Sequence, residues 1–279
     1  MTLPYAEVIG DPIGHSKSPI IHNFWLRELG LKAEYKATRV GAGELKAFLD
    51  SRRHDRSWRG CNLTMPHKQA VLPLLDERHD YGAGAVNCVI PDKGRLIGHN
   101  TDVAGVEAAM ADPHWDVPIC LIGAGGVASV VPAVVDWACI FHFNLIVRDR
   151  GKGEAFLQRL HMNGAAFSFD EAAEAMRGTQ GVVNATPLGM TGFPKMPDPV
   201  LQALSELPRG GWLTPRGWVI DMVYSPVNTE LLREAGRLKL STGDGLTVLV
   251  GQAAAAFELL FGRAVPQPHL SGVRELLTR

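Results

Sequence analysis

Apolar residues in this chain fall into two alternating patterns. Short continuous runs bounded by Gly, Pro or polar turns predict strands, and longer stretches with apolar residues at helical spacing predict helices. In the N-terminal part, Tyr5–Gly10, Ala33–Val40 and Trp58–Leu63 read as strands, with helices over Pro19–Leu29, Glu44–Ser51 and Lys68–Leu75. Ala85–Ile90 and Leu96–Ile97 predict a hairpin turning at Pro91-Asp92-Lys93-Gly94. A second series begins at about Val117. Its predicted strands are Ile119–Ile122, Phe141–Val147, Gly181–Asn184 and Trp218–Asp221, with helices over Val130–Ala138 and Asp170–Met176 and a Pro-rich loop over Phe193–Asp198. Gly245–Phe261 predicts a long apolar helix that Gly262 stops. That helix comes too late to be needed by the second sheet and is expected to pack back near the domain junction. Repeated strand–helix alternation predicts an α/β fold in two domains.

The second series opens on Gly123-Ala124-Gly125-Gly126-Val127-Ala128, directly after a strand and before an apolar stretch. The spacing is G-x-G-x-x-A. Gly123 permits a tight turn, Gly125 lets backbone approach a pyrophosphate, and a small third residue lets helix pack on strand. A lone match of this kind is weak. Here more than a hundred residues precede it and need a task of their own. In open parallel sheets, ligands bind beyond the carboxyl ends of the strands. Asn184–Met190 and Asp221–Tyr224 are therefore expected to face the dinucleotide.

Composition narrows the function classes. The chain has 279 residues, 46% hydrophobic and 20% charged, with a net charge of −1, which gives no long-range field favouring nucleic acid or anionic membrane. Arg52, Arg53, Arg56 and Arg59 form a basic cluster that reads as a solvated face. Cys61, Cys88, Cys120 and Cys139 lack metal-ligand spacing and predict reduced thiols in a cytoplasmic protein. The N-terminus has no basic and apolar signal regions, and no apolar run reaches membrane-span length.

Three loops before the glycine motif carry polar residues suited to chemistry. In Asp11–Pro19, Ser16 and Ser18 offer hydroxyls for an anion near a helix start, or Ser18 is simply an N-cap before Pro19. Lys68, in Asn62–Lys68, sits in a first helical turn, where a cation opposes the helix dipole, so it is either functional or an ordinary surface lysine. His67 beside it is either a useful titrating group or, as a lone His more often is, structural or merely exposed. Asp102, ending His99–Asp102, is either a helix cap or the carboxylate partner of Lys68. Beyond the second strand of the later series, Arg148 and Lys152 suit a 2′-phosphate, whereas Asp149 suits a free ribose hydroxyl.

Taken in order, these segments resemble the shikimate dehydrogenase family. They are Gly10–Pro19, Gly60–Lys68, Gly84–Asn87, Gly98–Asp102, the glycine loop, Asn184–Pro187, Asp221–Tyr224 and Asp244 through Gln252. The similarity spans nearly the whole chain. It implies an N-terminal α/β substrate domain over 1–102, completed by helices in 244–279, and a Rossmann-type NADP domain over 103–243. It implies reversible, NADP-dependent reduction of 3-dehydroshikimate to shikimate in aromatic amino-acid biosynthesis, with small molecules as partners and a monomer or homodimer as the working form.

By the same resemblance, Lys68 and Asp102 form the catalytic pair, Lys68 giving the proton in reduction. Ser16 and Ser18 hold the substrate carboxylate, and Thr64, Asn87, Tyr224 and Gln252 contact the ring. Gly123, Gly125 and Gly126 cradle the pyrophosphate. Arg148 and Lys152 meet the 2′-phosphate, and Thr186, Met222 and Gly245 line the nicotinamide side. The chain departs from the family pattern at Val147-Arg148-Asp149, where Asn-Arg-Thr is frequent, at Cys88 in place of Thr, at Val248 in place of Met, and at His67. A quinate/shikimate dehydrogenase using NAD, a folate-linked dehydrogenase and a catalytically silent dinucleotide sensor are the alternatives. Ser16 and Ser18 speak against the second, and the Lys68/Asp102 pair against the third.

Overall fold

The computed structural model describes residues 3–110, 118–134, 142–206 and 217–278. The chain forms two compact units, one of Met1–Gly105 with Val250–Arg279, the other of Val106–Leu249.

The first unit is built on β1 (Tyr5–Gly10), β2 (Glu34–Arg39), β3 (Trp58–Leu63), β4 (Glu77–His79), β5 (Cys88–Asp92) and β6 (Arg95–His99), in the order β2-β1-β3-β5-β6-β4. β1 runs parallel to β2 and β3, β5 antiparallel to β3 and β6, and β4 parallel to β6. β1 is buried along its whole length, as a central strand covered on both faces must be. Helices α1 (Ser18–Glu28), α2 (Leu45–Arg52) and the short α3 (His67–Ala70) connect the first strands. Helix α4 (Asp102–Ala109) follows β6.

Three expectations need correction in this unit. The stretch Lys68–Leu75 is not one helix: α3 ends at Ala70 and a 3-10 turn covers Leu72–Leu74, because Pro73 can neither donate in nor fit a continuing α-helix. The hairpin turns on Lys93-Gly94 alone, both with positive φ, so that Pro91 and Asp92 belong to β5. Ala85–Asn87 precede that strand. The basic cluster is only partly a solvated face, since Arg52 Nε pairs at 2.9 Å with the fully buried Glu7.

The second unit holds six parallel strands. β7 (Ile119–Ile122), β8 (His142–Ile146), β9 (Asn163–Phe167), β10 (Gly181–Asn184), β11 (Trp218–Asp221) and β12 (Ser241–Asp244) lie in the order β12-β11-β10-β7-β8-β9. This is the doubly wound dinucleotide-binding order, and the connections reverse direction between β7 and β10. A 3-10 turn at Ala128–Val130 and α5 (Val131–Val134) follow β7. The remaining predicted helix to Ala138, together with Val117, Cys139 and Phe141, lies outside the described residues. Helices α6 (Arg150–Arg159), α7 (Ala172–Met176), α8 (Asp198–Glu206) and α9 (Glu230–Arg237) link the later strands. The helical turn predicted from Asp170 splits into a 3-10 segment, Phe169–Glu171, and α7.

Helix α10 (Gly245–Phe261) begins in the second unit and ends in the first, where α11 (Gln267–Thr278) completes the chain. There Phe257 meets Trp25 edge-on at 5.6 Å between ring centroids, and the Trp25 indole N–H donates to His269 O at 3.0 Å. Burying side chains of this size stabilises by about 1.5–3 kcal/mol each. The described residues include no helix long and apolar enough to cross a membrane and no cluster of metal-ligating side chains.

Candidate active site

Because β1 and β3 are parallel neighbours, the loops beyond their carboxyl ends lie side by side. Thr64 N donates to Ile9 O at 3.0 Å and Asp11 N to Met65 O at 3.0 Å. The loop carrying Ser16 and Ser18 thus adjoins the loop carrying Thr64 and Lys68. The segment before β5 is stitched across both. Val86 N donates to Lys68 O at 2.9 Å, Leu63 N to Asn87 O at 2.8 Å, and Asn87 N to His99 O at 3.1 Å. Those backbone bonds bring three distant stretches of sequence to one place.

The side chains then converge. Lys68 Nζ donates to Asp102 Oδ2 at 2.6 Å, and Asn87 Nδ2 donates to Asp102 Oδ1 at 2.8 Å. Asn87 Oδ1 accepts from Thr101 N at 2.7 Å and from Thr101 Oγ1 at 3.1 Å. Asn100 Oδ1 accepts from Asp102 N at 3.2 Å, and its amide nitrogen donates to Ala85 O at 3.0 Å. Asp102 is therefore the partner of Lys68 and not a helix cap: both carboxylate oxygens are held from outside α4. Asn87 is 3% exposed and Asp102 9%, so water competes little for these bonds. The Lys68 side chain keeps 23% of its surface open, which gives its ammonium a route to solvent.

Ser18 is not an N-cap either. It is the first helical residue of α1, where no side chain caps the helix, and its amide donates to Ser16 Oγ at 3.3 Å. Nearby, the Tyr35 hydroxyl donates to Asn62 Oδ1 at 2.7 Å; Asn62 Nδ2 in turn donates to Asn87 O at 3.2 Å. Burial first, then the nearby Cys88 and Cys61 thiols, push the Tyr35 pKa well up, so its phenol stays a donor. Tyr35 and Asn62 are polar residues on otherwise buried strands, a signal that points to a network but does not name its members. His67 faces away from this cluster. It is fully buried with Nε2 2.8 Å from Val40 O, which fixes Nε2 as the protonated nitrogen. Gln252 lies on α10 in this unit, half-buried.

The second unit gathers its residues at the carboxyl ends of β7, β10 and β11. Gly123 has φ +106°, and a Cβ there would sit 2.5 Å from Thr186 Cγ2. No residue with a side chain fits. At Gly125 and Gly126 a Cβ would meet nothing within 4 Å, which leaves the backbone open to a ligand. Ala128 is fully buried, as close helix–strand packing requires. Thr186 is held by Asn184 Oδ1, which accepts from its amide at 3.1 Å and its hydroxyl at 2.7 Å. Asn184 Nδ2 donates to Asp221 Oδ1 at 2.9 Å, and Asp221 also accepts from Val223 N at 3.0 Å and Thr229 Oγ1 at 2.6 Å. Burial raises the Asp221 pKa, and its three donors oppose that shift. This Asn184–Asp221 link fixes the loops bearing Thr186 and Met222. Its signal in the sequence is a polar residue closing each of two apolar strands.

Gly245 opens α10, where a Cβ would lie 2.5 Å from the Met222 carbonyl carbon. Tyr224 follows Met222 in the same loop, and burial raises its pKa. Arg148 is exposed beyond β8, while Arg150 and Lys152 lie in α6 rather than in a charged loop. Asp149 is the N-cap of that helix, its Oδ1 accepting from Lys152 N at 3.2 Å. The carboxylate that suited a ribose hydroxyl thus has a local structural task.

Comparison with known proteins agrees with this geometry. Residues 8–89 match the family of the shikimate dehydrogenase substrate binding domain, and residues 245–270 match that of the shikimate 5'-dehydrogenase C-terminal domain. A shikimate dehydrogenase (NADP(+)) of Sphingopyxis alaskensis is 42% identical, the alignment covering 98% of this chain and 97% of that protein. Among solved structures, shikimate 5-dehydrogenase of Thermus thermophilus in complex with NADP(H) and shikimate is similar with a TM-score of 0.79 and 29% identity, covering 98% of this chain and 99% of that one. Quinate dehydrogenase of Corynebacterium glutamicum in complex with NAD is similar with a TM-score of 0.82 and 30% identity, covering 99% and 98%. The chain belongs to the shikimate dehydrogenase family.

Proposed function

We propose that this chain interconverts 3-dehydroshikimate and shikimate with NADP(H), as a step of aromatic amino-acid biosynthesis. The observation that carries this reading is the Lys68–Asp102–Asn87 cluster beside the Ser16/Ser18 loop. In this reading the first unit binds substrate and the second binds the dinucleotide. The enzyme is cytoplasmic, acts on small molecules without nucleic acid or membrane, and works as a monomer or homodimer. The buried, unpaired thiols of Cys61, Cys88 and Cys120 fit a reducing compartment.

Ketone reduction needs a hydride at carbon and a proton at oxygen. NADPH, when bound, supplies the hydride. Lys68 Nζ donates to the carbonyl oxygen and gives up its proton as the alkoxide forms, so one group supplies both the charge and the acid. Asp102 aims that ammonium, and Asn87 aims Asp102. Lys68 regains its proton from solvent through its open face. In the reverse direction neutral Lys68 takes the hydroxyl proton. Ser16 and Ser18 donate to the substrate carboxylate, and Thr64, Asn87, Tyr224 and Gln252 contact the ring.

The donor site fits NADP(H) through its backbone. Gly125 and Gly126 leave room for a pyrophosphate, Gly123 and Gly245 permit the close loop contacts, and Thr186 and Met222 line the ring side. Arg148 and Lys152 meet the 2′-phosphate. The similarity to an NAD-bound quinate dehydrogenase supports a second reading, an NAD-using quinate/shikimate enzyme. Initial-rate oxidation of shikimate and quinate, each with NADP and NAD, separates the two. The expected result is a kcat/KM for shikimate with NADP at least tenfold above any other pairing; quinate with NAD as the best pair would replace the first reading by the second, and no turnover of either acid would overturn both.

A further inference from the structure

The first unit carries a cavity of about 450 Å³ that the proposed reaction does not use. It is lined by the residues leading into β3, by the β5–β6 turn and by the last turn of α10. The Lys68 loop follows the opposite end of β3, so the strand's length, roughly 20 Å for six residues, separates the two.

The walls divide by chemistry. Leu259, 37% exposed, and the half-buried Ile90 supply open apolar surface, backed by the buried Trp58 and Leu260. Arg53, Arg56, Arg59 and Lys93 surround that floor. Arg53 is committed to Asp76 and to Gly94 O, each at 2.9 Å. The side chains of Arg56, Arg59 and Lys93 have no hydrogen bond or ion pair among the described residues. Asp55, the carboxylate of the wall, accepts from the Tyr5 hydroxyl and from Ser57 N, both at 2.8 Å.

Among the described residues no carboxylate is paired with these three cations, and the one carboxylate in the wall, Asp55, is taken up by Tyr5 and Ser57. An ordinary solvated face interleaves both signs and has no apolar floor. The volume is that of a small-molecule site, for which about 300–1,000 Å³ is usual. An apolar floor inside a cationic rim matches a ligand with one anionic group on a flat apolar body, because guanidinium planes bind carboxylates and stack on rings.

We propose that this basin is a second ligand site, for small aromatic carboxylates. The ring rests on the floor formed by Leu259 and Ile90, and the carboxylate meets Arg56, Arg59 and Lys93. Calorimetric titration of the full-length protein with 3-phenylpropionate tests it, with inorganic phosphate and neutral 3-phenylpropanol as comparison probes. The expected result is saturable 1:1 binding of 3-phenylpropionate. Removing two unpaired, exposed arginines leaves the fold intact, so the Arg56→Ala/Arg59→Ala variant should weaken that binding at least tenfold, and Leu259→Glu should weaken it comparably. Ser16→Ala/Ser18→Ala should leave it unchanged, since the basin does not include that loop. Absence of binding, equal binding of phosphate or of 3-phenylpropanol, indifference to the arginine pair, or loss in the serine variant would each overturn the proposal.

Discussion

The two units hold their candidate residues by opposite means. In the first, side chains hold side chains: the half-buried Lys68 joins the buried Asp102, Asn87, Thr101 and Asn100 in one network with every named polar atom engaged. In the second, the decisive feature is the lack of side chains. Gly123 fits against Thr186, and Gly245 against Met222, only because neither has a Cβ. A site of the first kind fails when atoms are removed. A site of the second kind fails when atoms are added. Reaction chemistry needs a proton donor at a fixed point, which only a held side chain provides. Pyrophosphate recognition needs exposed backbone amides, which a bare loop provides.

The largest effect should come from subtraction in the first unit. Lys68→Ala is expected to lower kcat by about 10³-fold, within the usual range for a lost general acid, with KM changed far less. Steady-state rates at saturating substrate check it, and a near-normal kcat would break the comparison at its stronger half. Addition in the second unit comes next. Gly123→Ala should cost about 1–3 kcal/mol through forced backbone and contact strain, read as a fall in Tm and a rise in KM for NADPH. Thr186→Ser removes the methyl that the new Cβ would strike, so the double variant should recover part of that loss. A double variant no better than Gly123→Ala would show that the contact is not the cause.

Smaller effects sharpen the donor site. Arg148→Ala should lower kcat/KM with NADPH by about tenfold or more, as expected for a lost hydrogen bond to a charged group of about 1.5–3 kcal/mol. Rates with NADH should move less than about twofold, because NADH lacks the 2′-phosphate that Arg148 would meet. Equal losses with both would remove Arg148 from 2′-phosphate recognition. The smallest effect belongs to Asp149→Ala, which should cost about 1 kcal/mol of stability as a lost N-cap. Kinetics with NADH should hold; a selective NADH defect would return Asp149 to the ribose.

Much of this arrangement is legible in the sequence, for physical reasons that also mark its limits. Central strands buried on both faces, such as Ile119–Ile122 and Trp218–Asp221, read directly as apolar runs. Three of the four edge strands do not. β4 is exposed at all three residues, and β9 and β12 are each exposed at their first two, so no apolar pattern marks them. Helix α6 hides because Gly151 and Gly153 weaken its signal and its first turn looks like a charged loop. Gly153 is there for packing, since a Cβ would press on Ala166 and Val147. Within the site, motif order brings Lys68, Asp102 and Asn87 together on paper, but spacing alone cannot. Their meeting depends on the antiparallel pairing of β5 with β3 and β6 and on the backbone bonds of Val86 and Asn87. The capping alternatives for Ser18 and Asp102 fail for different reasons: Ser18 is already the first helical residue of α1, and both oxygens of Asp102 are taken by Lys68 and Asn87. Asp149, exposed and without such partners, does become a cap.

The central claim is that Lys68 and Asp102 act as one unit. Its most direct test is a double-mutant cycle in kcat for shikimate oxidation with NADP, using Lys68→Ala, Asp102→Ala and both together. The prediction is strong non-additivity, the double variant losing no more than about threefold beyond the worse single, because each change disables the same proton transfer. Multiplying losses, or a near-normal kcat in either single variant, would contradict it.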